Sequence, residues 1–311
     1  LVKDGRYDYI ETGSLLSIKQ NVQDILFPSE ERALQMHPLD FEEFCWAVGR
    51  EDLPPLIHAH FLEKKPLSVL HGSVMKLFRQ YLLVGGMPQA VSAFLQSGSF
   101  VEVDRVKRDI LHLYQSDIAR FAKGYESKVL RIFDEIPSQL SKHEKKFSLN
   151  SLSKEARFRE YEDAFVWLSE AMIVNSCFNA SDPQVGLSLH KDSLSMKLYM
   201  ADTGLLLSHA FDEVSGMNQK VAQHIVEDRL EFNYGMIFEN IVAQMLRAQN
   251  KSLYFYSRSD REDSRNTMEI DFLIHDRLRP GRISPVEVKS SKRYTTRSLE
   301  KFSSKFAGKL D

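Results

Sequence analysis

Two short apolar runs near the end of the chain, MEIDFLI (Met268–Ile274) and PVEVKS (Pro285–Ser290), carry charged residues where a sheet usually takes Val or Ile. Side chains alternate between the two faces of a strand. Alternation sets Ile270, Phe272 and Ile274 on one face of the first run and Glu269, Asp271 and Leu273 on the other. In the second run Val286 and Val288 oppose Glu287 and Lys289. The polar connection between the runs is short enough for an antiparallel hairpin, and that pairing brings Asp271 near Glu287.

Two carboxylates held together raise each other's pKa unless a cation lies between them. Hard oxygen donors of this kind suit Mg2+ or Mn2+. Lys289, two residues from Glu287, then stands where it can orient a water or stabilise negative charge on a phosphate. Glu239, on the amphipathic segment EFNYGMIFENIVAQMLRAQN upstream, adds a third carboxylate if that helix packs on the sheet. Such a set, with Asp271, Glu287 and Lys289 as catalytic residues and Glu239, Asp271 and Glu287 as metal ligands, has the parts for metal-assisted phosphodiester hydrolysis. The competing reading is a solvated strand face, because an Asp followed at a distance by Glu-x-Lys is a weak pattern by itself.

The rest of the chain is read from periodicity and punctuation. YDYI followed by ETGS reads as a strand entering a loop, and LLSIKQNVQDILF has helical spacing. Asp40 with Glu43 three residues on forms a capping box before the stripe Phe41, Phe44, Val48. Residues 53–121 read as mostly helical and are broken at VGGMP, where Gly85, Gly86 and Pro88 predict a tight turn. From about residue 126 come three amphipathic segments, SKVLRIFDEIPSQLS, NSLSKEARF and EYEDAFVWLSEAMIV, then two extended runs, NSCFNA and LSMKLYMAD. Three helices and a hairpin is the order of a winged helix, whose third helix enters a DNA groove. That third segment carries Glu160, Glu162, Asp163 and Glu170 without Lys or Arg, which repels phosphates and favours docking to protein; Arg157 and Arg159 lie just before it.

The helix Glu in FEN, then EIDFLI, then PVEVKS resembles the PD-(D/E)XK nuclease superfamily, with its restriction-endonuclease-like fold. The resemblance places Glu239 as the helix acid, Asp271 as the first strand acid, and Glu287 and Lys289 as the E-x-K pair; Ile270 stands where a Pro is usual. Over nearly the whole chain, the stretches YDYIETGSLLSIKQNVQDILFPSEER, HPLDFEEF, LLVGGMPQAV, YQSDIARF and KLYMADTGLL resemble a family of prokaryotic AAA-type ATPases. Those proteins carry a C-terminal domain of unknown function built from a winged helix and a nuclease-like module. The resemblance implies that Thr12 or Ser14, in TGS, lies near the γ-phosphate of ATP as a nucleotide sensor; a strand-to-helix loop and cap is the alternative for both. A P-loop requires G-x-x-x-x-G-K-[ST], so that backbone N–H groups and the Lys cradle the phosphates. No such run exists here, and ATP is expected to bind the full-length protein rather than this stretch, which reads as a C-terminal piece or a decayed copy.

The expected architecture is multidomain α/β. Residues 1–50 are the tail of an ATPase α/β core and 51–125 a helical lid and linker. Residues 126–210 are a winged-helix domain and 211–311 a nuclease-like α/β module. The expected function is a nucleic-acid-directed ATPase whose C-terminal module acts on DNA or RNA with Mg2+ or Mn2+. The alternative is a non-catalytic nuclease-fold module of a regulatory ATPase that docks a partner protein. Composition is compatible with both. Of 311 residues, 43% are hydrophobic and 27% charged, as in ordinary globular chains. The net charge of −2 is unevenly spread: from Lys251 onward 14 Lys and Arg face 9 Asp and Glu, a net of +5, which leaves −7 for the rest. Two cysteines, Cys45 and Cys177, far apart in sequence, argue against a disulfide framework and for a reducing, cytoplasmic compartment. No apolar run approaches the roughly 20 residues of a membrane span, so no membrane partner is expected, and oligomerisation is expected through the ATPase part.

Overall fold

A computed structural model describes residues 34–142, 144–184, 186–211, 219–229, 234–258, 267–275, 282–290 and 294–308, with Ile10, Thr12, Gly13 and Arg32 besides. The strand and helix expected over residues 7–26, and Ser14 with them, lie outside the described residues. Thr12 is exposed and in no regular element.

Among the described residues six helices come first: α1 (Phe41–Ala47), α2 (Leu53–Leu62), α3 (His71–Val84), α4 (Pro88–Ser97), α5 (Phe100–Phe121) and α6 (Glu126–Ser141). The capping box at the start of α1 is formed: Glu43 N–H donates to Asp40 and Asp40 N–H donates to Glu43, both at 2.9 Å. Gly85, at φ 81°, ends α3, and Pro88 opens α4, as VGGMP predicts. Helix α7 (Phe158–Glu170) follows, burying Tyr161, Ala164, Phe165, Trp167 and Leu168. The helix expected at NSLSKEARF is only a 3-10 turn, Leu149–Ser151. Its serines turn back on the backbone there: the Ser151 hydroxyl donates to Ser148 O at 2.8 Å and Ser153 Oγ accepts from Glu155 N–H. Such local bonds compete with a helix.

Strands β1 (Val174–Ala180) and β2 (Lys191–Met200) form an antiparallel pair. Helices α8 (Thr203–Ala210), α9 (Gln219–Val226) and α10 (Tyr234–Ala248) come next, then β3 (Leu253–Arg258), β4 (Met268–His275), β5 (Ile283–Val286) and α11 (Arg297–Lys305). The fold is mixed α/β around one five-stranded sheet in the order β2-β1-β3-β4-β5. β1 and β3 run parallel; the other pairs are antiparallel. The expected hairpin between MEIDFLI and PVEVKS is present as β4–β5, with Phe272 opposite Val286. The boundary expected at residue 210 is crossed by this sheet, because β1 of the preceding stretch hydrogen-bonds β3 of the following one.

Simple alternation fails in β4. Tyr254 pairs with Leu273 and Tyr256 with Ile270, so β4 fits one extra residue between these partners. A bulge of this kind re-aims side chains. Ile270 and Leu273 consequently pack with Phe302 of α11, Tyr254 and Tyr256 on one side of the sheet, whereas Phe272 joins the main core with Tyr199. Ile270 and Phe272, expected on one face, are split between two cores.

A buried polar node fastens the helices to the sheet. Asp202, at the end of β2, is wholly buried; its carboxylate accepts from Gly86 N–H at 2.6 Å and from Leu205 N–H at 2.8 Å, capping α8. Burial raises its pKa, opposed by those amides and by Lys107. Lys107 of α5 donates to Leu83 O at 2.6 Å and to Gly204 O at 3.2 Å. Gln244 of α10 accepts from Thr203 N–H and donates to the Tyr81 hydroxyl, which donates to Leu39 O. Three sequence stretches, HPLDFEEF, LLVGGMP and KLYMADTGLL, thus meet at one point.

The node makes two testable demands. A Cβ on Gly204 would stand 2.6 Å from the backbone of Gly85, whereas one on Gly98 (φ 61°) would meet nothing within 4 Å. Gly204→Ala should therefore lower the urea midpoint by the equivalent of about 3 kcal/mol or more, and Gly98→Ala by about 1 kcal/mol. Similar midpoints would mean that the close approach of α8 to Gly85 is not made. The second demand concerns pH. Burial lowers the Lys107 pKa to about 8 from an ordinary 10.5. Between those values the unfolded chain binds more protons than the folded one, so the contribution of Lys107 to stability grows as pH rises and is lost as pH falls through about 8. Urea unfolding at pH 7.5, 9 and 10.5 should show wild type gaining on Lys107→Met by an amount on the order of 2–3 kcal/mol across that window. A constant difference would show that burial does not lower the Lys107 pKa.

Candidate functional site

The acids picked out from the two charged runs do gather, but around a lysine from elsewhere. Lys197 lies in the middle of β2, flanked by Met196 and Leu198, and is paired across the ladder with Cys177. Its face is the one on which α10 packs, and its ammonium stands 5.1 Å from the Phe255 ring centroid. The side chain is 1% exposed. Its Nζ is 2.6 Å from Glu269 Oε1, 3.7 Å from Asp271 Oδ1 and 3.8 Å from Glu239 Oε2. Burial alone would pull the pKa of this amine down; Glu239, Glu269 and Asp271 outweigh it and hold the pKa above the ordinary lysine value. The ammonium is therefore charged at any physiological pH.

Glu239 projects from α10 and is 6% exposed. Its Oε1 takes the Lys145 ammonium and its Oε2 accepts from the Tyr199 hydroxyl at 3.1 Å. Lys145 is brought here by the loop after α6, which is pinned to β2 where Phe147 N–H donates to Met196 O at 2.8 Å. Burial raises the Glu239 pKa, with Asp271 adding to the effect and Lys197 and Lys145 opposing it. Burial likewise raises Tyr199 far above the phenol value, so it stays a donor.

Asp271, 15% exposed, accepts from Val288 N–H at 2.8 Å through Oδ2. In the chain, Glu287 and Lys289 flank that amide. Glu287 is almost wholly buried, and Lys289 Nζ is 3.3 Å from its Oε2 while remaining 39% exposed. Glu287 Oε2 finds no hydrogen-bond donor among the described residues.

The four expected residues thus fall into two linked groups. Glu239 and Asp271 share Lys197; Glu287 and Lys289 pair with each other and reach Asp271 through the Val288 amide. Among the described residues no three His, Cys, Asp or Glu side chains are gathered as a metal cage. Glu239, expected as a metal ligand, has its oxygens engaged by Lys145 and Tyr199. Asp271 and Glu287 remain hard oxygen donors of the kind a divalent cation takes. Glu287 Oε2 is a buried acceptor without a donor, and Mg2+ is commonly held by one or two carboxylates completed by water and phosphate.

Lys197, Lys145, Tyr199 and Glu269 were not singled out from the sequence. For Lys197 the signal was there: a charged residue inside the apolar run LSMKLYMAD is the same anomaly as Asp271 in MEIDFLI. Lys145, in the polar stretch SKHEKKF, gave none.

Comparison with known proteins bears on these same elements. Residues 75–217 match the domain of unknown function DUF8612, and residues 234–310 match the domain of unknown function DUF4143. The latter is a domain found in AAA-ATPase-associated proteins; no ATPase family itself matches. No curated protein and no solved structure matches the chain. The site draws on both matched stretches: Lys145, Lys197 and Tyr199 come from the first, and Glu239, Glu269, Asp271, Glu287 and Lys289 from the second. Among the described residues no helix is long and apolar enough to cross a membrane.

Tyr199→Phe tests whether the junction is as drawn. Glu239 keeps Lys145 but loses a buried hydrogen bond, and stability should fall by about 1–2 kcal/mol in urea titration. An unchanged midpoint would show that the bond contributes nothing.

Proposed function

We propose that residues 234–310, together with β1 and β2, form a nuclease-like module directed at phosphodiesters of DNA or RNA, belonging to a nucleic-acid-directed AAA-type ATPase. The observation that carries this reading is the link from Asp271 through the Val288 amide to Glu287 and Lys289, with one carboxylate oxygen buried and undonated and one ammonium open to solvent. Asp271 and Glu287 would hold Mg2+ or Mn2+. A divalent ion, when bound, supplies a Lewis acid for the phosphate and a water of lowered pKa. Lys289 is placed to stabilise negative charge on a phosphate oxygen entering from the exposed side. Glu239 has a different part from the one expected of it: with Lys197 it fixes Asp271 from behind. On this reading Thr12 and Ser14 belong to a nucleotide-sensing segment of the ATPase.

One observation favours a second reading, in which the module docks a protein and cuts nothing. Glu160, Glu162 and Asp163 are exposed on α7, a surface that repels a nucleic-acid backbone.

Plasmid nicking with Mg2+ or Mn2+ separates the two. Wild type should nick, and Asp271→Ala and Lys289→Ala should each lose on the order of 100-fold or more. Equal rates in all three, or none in wild type, would remove the phosphodiesterase reading. Binding of a DNA duplex in a salt series would then report phosphate contacts through its slope.

A further inference from the structure

We propose that a cavity of about 320 Å3 at the end of the β3–β4 ladder is a binding site for a small organic anion, an aromatic carboxylate or aromatic phosphate ester, held by the Lys251 ammonium. The cavity is lined by none of Glu239, Asp271, Glu287 and Lys289, and the proposal stands apart from the phosphodiester reading. β3 begins where β4 ends, with Tyr254 opposite Leu273. Asn250, at φ 57°, turns the chain out of α10 into β3, a backbone conformation that Asn accepts more readily than most residues. That turn brings Lys251 and Ser252 to the same cavity as His275. Ser252 and His275 are exposed and Lys251 half-buried, whereas Leu253, Tyr254 and Phe272 line the cavity from the buried side.

Three features define what fits. The first is charge. No Asp or Glu lines the cavity, and the side chains of Lys251, Ser252, Tyr254 and His275 make no hydrogen bond or ion pair among the described residues. Their ammonium, hydroxyl and imidazole N–H groups are donors left for a ligand. The negative end of the α10 dipole, which would oppose an anion, is covered. Met245 O, Leu246 O and Arg247 O accept from the N–H groups of Gln249, Lys251 and Asn250, and the Arg247 guanidinium donates to Lys251 O at 3.3 Å. The second feature is size. The volume holds about ten water molecules, so a ligand of about that many non-hydrogen atoms, which is one ring with a charged head and too little for a nucleotide. The third is the apolar wall of Leu253, Tyr254 and Phe272, which suits a flat ring. A mostly apolar cavity with a few convergent polar groups is the usual form of a small-molecule site.

The test uses para-fluorobenzoate and para-fluorophenyl phosphate as probes of the full chain, followed by fluorine NMR, with para-fluorobenzyl alcohol as the uncharged control. At least one anion should bind wild type in the millimolar range or more tightly, and about tenfold or more above the alcohol. Lys251→Met should weaken that anion by about tenfold or more, the loss of one charge-assisted hydrogen bond, while Lys251→Arg retains it. Ser252→Trp, which puts a large ring in the cavity, should abolish binding. A preference for the carboxylate or for the phosphate supports the proposal and fixes the head group. Absence of binding by both anions overturns it, as does an alcohol that binds as tightly as they do. An affinity unchanged in both Lys251→Met and Ser252→Trp places the probe elsewhere, and one lost in Ser252→Trp but kept in Lys251→Met removes the anion; either result overturns the proposal. Circular dichroism establishes that each variant is folded, and if Ser252→Trp is not, Lys251→Met against Lys251→Arg decides.

Discussion

One buried positive charge organises the C-terminal half of this protein. The Lys197 ammonium cannot be left unpaired away from water, because the effective penalty for burying an isolated ion is several kcal/mol. It is satisfied only if α10 brings Glu239 over the sheet and β4 brings Glu269 and Asp271 to the same place. The lysine therefore dictates the position of a helix and the local shape of a strand, neither of them near it in sequence. The bulge in β4 belongs to the same solution. It lets Glu269 and Asp271 face Lys197 while Phe272 also reaches the main core and Ile270 and Leu273 fill the other.

A second buried group, Asp202, does for the helical half what Lys197 does for the sheet. Its two oxygens cap α8 and hold the Gly86 amide, locking the turn between α3 and α4 against the end of β2. The two anchors are five residues apart in sequence, Lys197 within β2 and Asp202 two residues beyond its end, at the N-cap of α8. The stretches matching two separate domains share one sheet, through the pairing of β1 with β3, and one charged cluster. A site assembled from both cannot be formed by either alone.

Much of this was legible before any coordinates. The capping box at Asp40, the break at Gly85–Pro88, the β4–β5 hairpin and the anomaly of charged residues in apolar runs follow from rules of short range. What was not legible is what depends on partners distant in sequence. The parallel pairing of β1 with β3 has no local signature, so the hairpin of the expected winged helix read as self-contained. The bulge in β4 arises from pairing with β3, and alternation counted along one strand does not reveal it. Glu239 is expected near the strand acids only if its helix packs on the sheet, and its two lysine neighbours and its tyrosine come from elements read as another domain. The only local signal for Lys197 is a charge within the apolar run LSMKLYMAD, the same anomaly as Asp271 in MEIDFLI.

The energetics of Lys197 carry a last point about function. Well-packed apolar groups in place of a buried ionic cluster are often neutral or stabilising by roughly 1–4 kcal/mol. A methionine on β2 facing leucines on α10 and β4 would fold this sheet at least as well. Stability alone is thus a poor reason for a chain to hold four acids and three amines in one small region, half of them buried. A site that must present carboxylates in a fixed arrangement before any ligand arrives has a good reason. The amines hold the carboxylates in fixed positions, and the one amine on the exposed side, Lys289, is left facing whatever anion approaches. Preorganisation of this kind fits recognition of a phosphate backbone better than it fits a scaffold, and it is the physical ground on which the phosphodiester reading stands above the docking one.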